Sequence, residues 1–340
     1  MNTTFLDACY SKKTPYTPVW YMRQAGRYMP EYRKLKEKHT ILEIVKTPEL
    51  AAKVSLQPVE LLQVDAAILF ADIMIPLLGI GIDLDIVEHI GPVIKKPIQS
   101  MEDVKNLRTL EPEADIPYLL KTITLLKNEL KNKVPLIGFS AAPFTLASYM
   151  IEGKPTRDFI KTKSFMYTNK PAWDLFMEKL SDMIIIYLKA QVATGVQALQ
   201  LFDSWIGSLS EEDYQEYVLP HVKRIFDSLS DLSVPLIHFG TNTAGLLTSF
   251  ASVQCQVIGV DWRISIPKAW EQIGYEKAIQ GNLDPVLLLS DFSTIKHHVD
   301  AIFETLPQKE GYIFNLGHGV LPMTPMENII KLTEYIHSKK

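Results

Sequence analysis

The chain has 340 residues, 47% of them hydrophobic and 22% charged, with a formal net charge of −4. That balance suits a globular protein with a large core and excludes a global attraction for nucleic acid or anionic membrane, so any anion site must be a local focus of positive charge. The two cysteines, Cys9 and Cys255, stand far apart and in no metal-ligand spacing, which argues for a reducing compartment and against a disulfide framework.

Length alone suggests two domains, but a closed α/β barrel reaches 340 residues as one unit, here 1–340. The opening MNTTFLDACYSKKTP has no basic region ahead of a long apolar run, so no secretory signal is expected. Residues 1–17 read as a helical lead-in ending at the Pro15/Pro18 turn. Next comes PVWYMRQAGRYMPEYR, Pro18 to Arg33. An apolar run delivers the chain into Arg23 and Arg27, separated by Gln24, Ala25 and Gly26. Four residues apart, the two guanidiniums share one side of a helical turn or meet at the mouth of a Gly-hinged loop. Each is a permanent cation with a planar donor fork that fits carboxylates and phosphates. Trp20, Tyr21, Tyr28 and Tyr32 surround them, which makes the stretch a clamp for a polyanionic small molecule with a flat or greasy body. The alternative is two surface arginines paired with Glu31 or Glu37.

Residues 31–40 are a charged amphipathic helix or loop. The segment 47–63 opens with Thr47 as N-cap, Pro48 at N1 and Glu49 at N2, a helix start. Apolar β-branched runs then recur at 64–71, 134–139, 196–202, 234–239, 256–260, 277–280 and 311–316, with 18–22 as an eighth candidate. Helix-like segments at 115–131, 157–191, 211–230, 243–253, 267–273, 290–306 and 324–338 lie between or after them. The apolar stretch Ala66 to Ile82 contains Asp72, Pro76 and two glycines, so it reads as a buried strand and loop rather than a membrane span. With no other spanning candidate, a cytosolic protein is expected. Residues 82–114 read as a hairpin plus loops inserted after the first strand. Continuous apolar strands alternating with helices indicate a parallel sheet covered on both faces. Eight candidates, and no GxGxxG after the first strand, favour a single-domain (β/α)8 barrel, somewhat distorted, over an open doubly wound sheet.

In such a barrel the chemistry collects at the C-terminal ends of the strands. There the runs present Asp72; Ser140 and, a short helical distance on, Tyr149; Asp203 and Ser204; His238 and Gly240; Asp261 and Arg263; Asn282 and Asp284; and His318 between two glycines. The aspartates have a bland reading as caps of the turns that follow. An unpaired carboxylate at Asp72 would be expensive among such apolar neighbours. Tyr149 reads equally as a core residue, and His238 better as a satisfied core histidine than as a ligand. The glycines around His318 mark close backbone approach. No zinc spacing, nucleophile elbow or P-loop is present. What remains is an arginine clamp, one aspartate in an apolar setting, a tyrosine, a serine and a histidine. That set suits a carboxylate-rich ligand and stabilisation of a cation.

MRQAGRYMPEYR, followed in order by AAILFADI, GFSAAPFTLASYMIEG, LFDSWIG, HFG, GVDW, QGNLDP and NLGHG, resembles the uroporphyrinogen decarboxylase family of haem biosynthesis from about residue 17 to 335. The resemblance implies a distorted (β/α)8 barrel, a homodimer in the cytoplasm, and turnover without metal or organic cofactor. It implies removal of CO2 from the four acetates of uroporphyrinogen III in turn, giving coproporphyrinogen III. By match of motif, Arg23 and Arg27 pair with substrate carboxylates and Asp72 accepts from the pyrrole N–H groups. Tyr149, Ser204 and His318 line the pocket, and the backbone from Arg23 through Gln24, Ala25 and Gly26 to Arg27 forms a substrate loop. Arg23, Asp72, Tyr149 and His318 are the catalytic candidates, with the proton donor open among Arg23, Tyr149, His318 and water. Lys36 stands where some members carry Arg, and lysine loses bidentate geometry. Rival readings are a zinc-dependent corrinoid methyltransferase of the same superfamily, a non-catalytic tetrapyrrole-binding protein, and a nucleic-acid binder. The first needs His-x-Cys where this chain has His238-Phe239-Gly240 with Cys255 alone. The second would keep the arginines without needing Asp72. The third fails on net charge and on Glu37 among the basic residues of 33–38.

Overall fold

In the computed structural model, which describes residues 2–87 and 90–339, the predicted apolar runs form one curled parallel sheet. In chain order the strands are β1 (Ala67–Ile68), β2 (Leu84–Val87), β3 (Gly91–Ile94), β4 (Leu136–Ala141), β5 (Ala198–Asp203), β6 (Leu236–Gly240), β7 (Val257–Gly259), β8 (Ala278–Leu283) and β9 (Tyr312–Leu316). The order across the sheet is β1-β4-β5-β6-β7-β8-β9, and β2 pairs with β3, antiparallel. Residues of β4, β6, β8 and β9 are buried throughout, because helices cover the outside while the barrel interior covers the inside. That double burial is why these runs are continuously apolar rather than alternating.

The seam between β9 and β1 is closed by the eighth candidate, 18–22. Val19 bridges Phe314 in parallel, Phe314 N donates to Pro18 O at 2.9 Å, and Asp65 N donates to Val19 O at 2.8 Å. The Asp65 carboxylate, 2% exposed, locks this seam from the N-terminal end of the barrel. It accepts from Val19 N at 2.9 Å, Tyr16 Oη at 2.8 Å and Asn2 Nδ2 at 3.0 Å, and meets His337 Nε2 at 2.8 Å.

Several helix expectations need correction. The stretch 157–191 is two helices, Ile160–Thr168 and Lys170–Thr194, because Pro171 can enter a helix only near its start. The stretch 211–230 likewise breaks at Val218, ahead of Pro220, into Glu211–Tyr217 and Leu219–Leu229. The stretch 243–253 keeps only Leu247–Phe250, and Ala66 to Ile82 adds a short helix, Ile75–Gly79, where a loop was expected. Thr47 does precede a helix, Pro48–Leu62, but its hydroxyl donates backward to Glu43 O at 2.8 Å instead of capping. Capping boxes form at Thr40 and Ser100. The remaining predictions correspond to the helices Pro117–Glu129, Ile266–Ile273, Phe292–Thr305 and Met326–Ser338.

The insertion after β1 contains the expected hairpin, whose tip at 88–89 lies outside the described residues. It docks on the helix Pro143–Glu152 through Ile94 N to Gly153 O at 2.7 Å and Ile98 N to Met150 O at 2.9 Å. One contiguous apolar core runs through barrel and helices. Among the described residues, no helix is long and apolar enough to cross a membrane.

Candidate active site

The C-terminal ends of the strands surround an open cleft of about 1000 Å³, counted out to its mouth. Of the residues singled out from the sequence, Arg23, Gln24, Ala25, Asp72, Tyr149, Ser204 and His318 line it. The four catalytic candidates therefore share one space although they are far apart in the chain.

Arg23 enters from a loop, not from a helical turn. Its φ of +57° is unusual for a residue with a side chain and is a local cost of order 1 kcal/mol that the surrounding packing must hold. The loop is pinned at both sides. Met22 N donates to Asn315 Oδ1 at 3.2 Å, and Val320 N donates to Met22 O at 2.9 Å. Gln24 is 1% exposed and works as a brace as well as a wall, accepting from Tyr21 N at 3.2 Å and donating to Ala66 O at 3.1 Å. Arg27 and Gly26 do not line the cleft. Arg27 is exposed beside Tyr32, and neither arginine makes an ion pair among the described residues, so the pairing with Glu31 or Glu37 is absent. Lys36 ends the helix Pro30–Lys36, away from the lining.

The glycines flanking His318 do what their spacing suggests. A Cβ on Gly319 would lie 2.4 Å from Cδ of Arg23, and one on Gly317 would lie 2.7 Å from the backbone N of Trp262. The arginine side chain thus lies against the backbone of the His318 loop. Burial, with the nearby Arg23 charge, lowers the His318 pKa to about 4, so the imidazole is neutral at neutral pH.

Asp72 combines the two readings weighed for it. Its Oδ1 accepts from Met74 N at 2.9 Å, a turn-capping bond, while the carboxylate faces the cleft. Desolvation raises its pKa above the ordinary aspartate value; the Met74 N–H and the Arg23 charge pull the other way. Tyr149, on the helix Pro143–Glu152, stacks on Trp205 with ring centroids 3.9 Å apart. Desolvation first, and the Asp72 charge second, raise its pKa above the usual tyrosine range. The phenol is therefore a hydrogen-bond donor at any working pH.

The other strand-end residues support the rim instead of lining it. Asp261 accepts from Asn242 N at 2.7 Å and pairs with Arg263, and Asn282 donates to Asp261 O at 2.8 Å. Thr241 Oγ1 donates to Ser204 O. These bonds tie successive loops together. Asp284 caps the turn after β8 through Val286 N at 2.9 Å. Ser140 Oγ donates to Ala141 O at 3.0 Å. His238 is a core histidine, stacked on Phe250 at 3.6 Å, and Gly240 leaves room for Thr243 and the Phe250 ring. His297 and His298 are exposed on their helix.

The sequence reading missed the apolar wall. Phe139, Phe202 and Phe239 stand on adjacent strands β4, β5 and β6 and pack edge to face at 5.6 and 5.8 Å. Gly259 on β7 leaves space for the Phe239 ring, which a Cβ there would meet at 2.9 Å. Phe70 and Ile73 flank Asp72, and Pro92 reaches the rim from the inserted hairpin. The only signal was a phenylalanine near the end of three successive strand runs, in GFS, LFD and HFG. The result is an apolar bowl with one cation, one carboxylate, a phenol, a hydroxyl and a neutral imidazole facing inward. Among the described residues, no three His, Cys, Asp or Glu side chains gather as metal ligands.

The family described as uroporphyrinogen decarboxylase (URO-D) matches residues 1–339. A uroporphyrinogen decarboxylase from Carboxydothermus hydrogenoformans is 51% identical over 337 residues, covering 99% of this chain and 96% of the relative. One from Bacillus subtilis is 51% identical over 336 residues, covering 99% and 95%. A solved structure titled methyltransferase from Methanosarcina mazei superposes with a TM-score of 0.83 at 20% identity, covering 98% of this chain and 97% of its own. At that identity the likeness concerns the fold.

Proposed function

The chain belongs to the uroporphyrinogen decarboxylase family, and from that premise we propose how its cleft acts on the tetrapyrrole. The reaction is the stepwise loss of four CO2 from the acetates of uroporphyrinogen III, leaving methyls and giving coproporphyrinogen III. We assign no metal or organic cofactor to it, and take residues 1–340 as one barrel domain working as a cytoplasmic homodimer, as the family resemblance implies. The observation that carries the reading is the meeting of Arg23 and Asp72 in a phenylalanine-walled cleft at the strand C-termini.

Loss of CO2 from an acetate on a pyrrole needs somewhere for the electron pair to go. Protonating a ring carbon makes the pyrrole an iminium-like cation, which is that sink; after CO2 leaves, the exocyclic carbon takes a proton to become the methyl and the ring carbon gives its proton back. Asp72 sits where burial makes an uncompensated carboxylate unfavourable. Pyrrole N–H groups aimed at it supply the missing partners and keep it ionised. As the ring becomes cationic the attraction strengthens, which is transition-state stabilisation on the scale of one oxyanion-hole donor, roughly 3 kcal/mol. Arg23 is the fixed cation for a substrate carboxylate, and Arg27, outside the cleft wall, meets acid side chains reaching the mouth. Tyr149 and Ser204 donate to carboxylates. His318, neutral before substrate binds, gains a proton more readily once a carboxylate lies against it.

The test is an anaerobic incubation of wild type and Asp72→Asn with uroporphyrinogen III, products being separated by carboxylate number. Wild type should lose four carboxylates stepwise while the variant, correctly folded, loses most turnover. Tight binding by wild type with the substrate left intact would make the protein a non-catalytic tetrapyrrole-binding protein. Near-normal kcat in Asp72→Asn would remove that residue from the chemistry.

A further inference from the structure

Asp203 is fully buried at the end of β5, behind the cleft wall, and does not line the cleft. Its Oδ1 accepts from the Thr145 hydroxyl at 2.9 Å. With Asp203 as the acceptor, the hydroxyl proton points to Asp203 and the lone pairs of the hydroxyl are free to accept. The Trp205 backbone N–H donates to it at 3.4 Å. The indole of Trp205 lies against the Tyr149 ring, centroids 3.9 Å apart at 33°, and Phe159 packs against the same indole at 5.0 Å. Thr145 and Tyr149 are one turn apart on the helix Pro143–Glu152, where residues four apart share a face. One hydroxyl therefore joins the helix that carries Tyr149 to the loop that carries its stacking partner. The contacts form a closed circuit from Asp203 through Thr145 and Trp205 to Tyr149, and back along one helical turn.

We propose that Asp203 and Thr145 are positioning residues that set the pose of Tyr149 in the cleft, acting through Trp205. The inference rests on Tyr149 belonging to the site proposed above. Asp203 touches no cleft space, so its effect on turnover passes through this circuit. The other carboxylate oxygen is buried without a partner, so the Thr145 bond is where the Asp203 side chain is anchored. The same circuit places Ser204, which lines the cleft between the two anchored residues.

The experiment compares Thr145→Val, which is nearly isosteric and lacks the hydroxyl, with Thr145→Ser, which keeps it, each in wild-type and Tyr149→Phe backgrounds. Thr145→Val should lower kcat roughly tenfold, short of the hundredfold that a 1 Å misplacement can cost, with KM within about twofold. Thr145→Ser should restore it. In the Tyr149→Phe background, Thr145→Val should cost nothing further, because the group it positions is already gone. The near-UV circular dichroism of the stacked pair should change in Thr145→Val and not in Thr145→Ser. Equal losses from Thr145→Val in both backgrounds, or an unchanged dichroism band, overturn the proposal. If Thr145→Val fails to fold, Trp205→Leu takes its place, with the same silence expected in the Tyr149→Phe background. Absent turnover in wild type refutes the site reading alone; the dichroism comparison then decides the circuit independently.

Discussion

At the scale of single residues, the cleft depends on backbone that only particular side chains permit. Gly319 lies against the Arg23 side chain, and Arg23 itself holds a left-handed φ. Gly319→Ala should displace the guanidinium and lower kcat/KM by about tenfold or more, since a shift of one ångström in a positioned group costs up to a hundredfold. Circular dichroism and melting temperature should stay near wild type; unchanged kcat/KM would free Arg23 from that packing requirement. Arg27 stands outside the cleft wall, so Arg27→Ala should raise KM for uroporphyrinogen while leaving the melting temperature almost unchanged. An unchanged KM would remove Arg27 from binding. Arg23 and Asp72 were legible because a charge interrupting an apolar run is conspicuous. Phe139, Phe202 and Phe239 were not, because in a strand buried on both faces an inward phenylalanine looks the same as an outward one.

At the scale of elements, β5 and β6 each carry one buried titratable side chain, with opposite consequences for pH. Burial raises the Asp203 carboxyl from 3.8 to about 7, opposed by the Thr145 bond. Between those values the folded chain keeps a proton that the unfolded chain has released, so stability falls as pH rises. Burial lowers His238 from 6.5 to about 3, opposed by its bond to Phe250 O and assisted by the Lys277 charge. Between those values the unfolded chain binds the extra proton, so stability falls as pH drops. The windows overlap from about pH 4 to 6.5, and the two gradients partly cancel in wild type. Asp203→Asn should unmask the histidine, giving unfolding free energies that rise with pH by up to roughly 3–4 kcal/mol across that window. His238→Gln should show the opposite slope. Parallel urea titrations at a series of pH values check both, and two variants with identical slopes would contradict the account. The strands themselves were readable from their apolar runs. The helix breaks at Pro171 and Pro220 were visible too, but the amphipathic pattern runs across each proline and hid the interruption.

At the scale of the molecule, the barrel is closed by a segment with a single bridge, Val19 to Phe314. Its hold on the neighbouring edge is Asp65, through its backbone N–H and its carboxylate together. Asp65→Ala would strip partners from a buried backbone N–H, a phenol, an amide and an imidazole at once. A loss of about 3–5 kcal/mol is expected on removing one partner of such a buried charged network, read as a lower denaturant midpoint. A drop under about 1 kcal/mol, the value of a peripheral ion pair, would show that the seam holds without it. The barrel itself could be counted from the sequence, since seven runs and an eighth candidate agree with one architecture. The clasp could not, because its members Asn2, Tyr16, Asp65 and His337 are far apart in the chain and carry no shared pattern.

The same clasp makes the two ends of the described chain neighbours: Asn2 and His337 reach the two oxygens of one carboxylate, on the face of the barrel opposite the cleft. The described residues thus run almost full circle, from Asn2 back to His337. A circular permutant of the described residues, joined by a short flexible linker from Lys339 to Asn2 and reopened at the exposed turn of Tyr275 and Glu276, would keep the clasp intact. It would carry every strand neighbour and every cleft residue into a chain read in a different order.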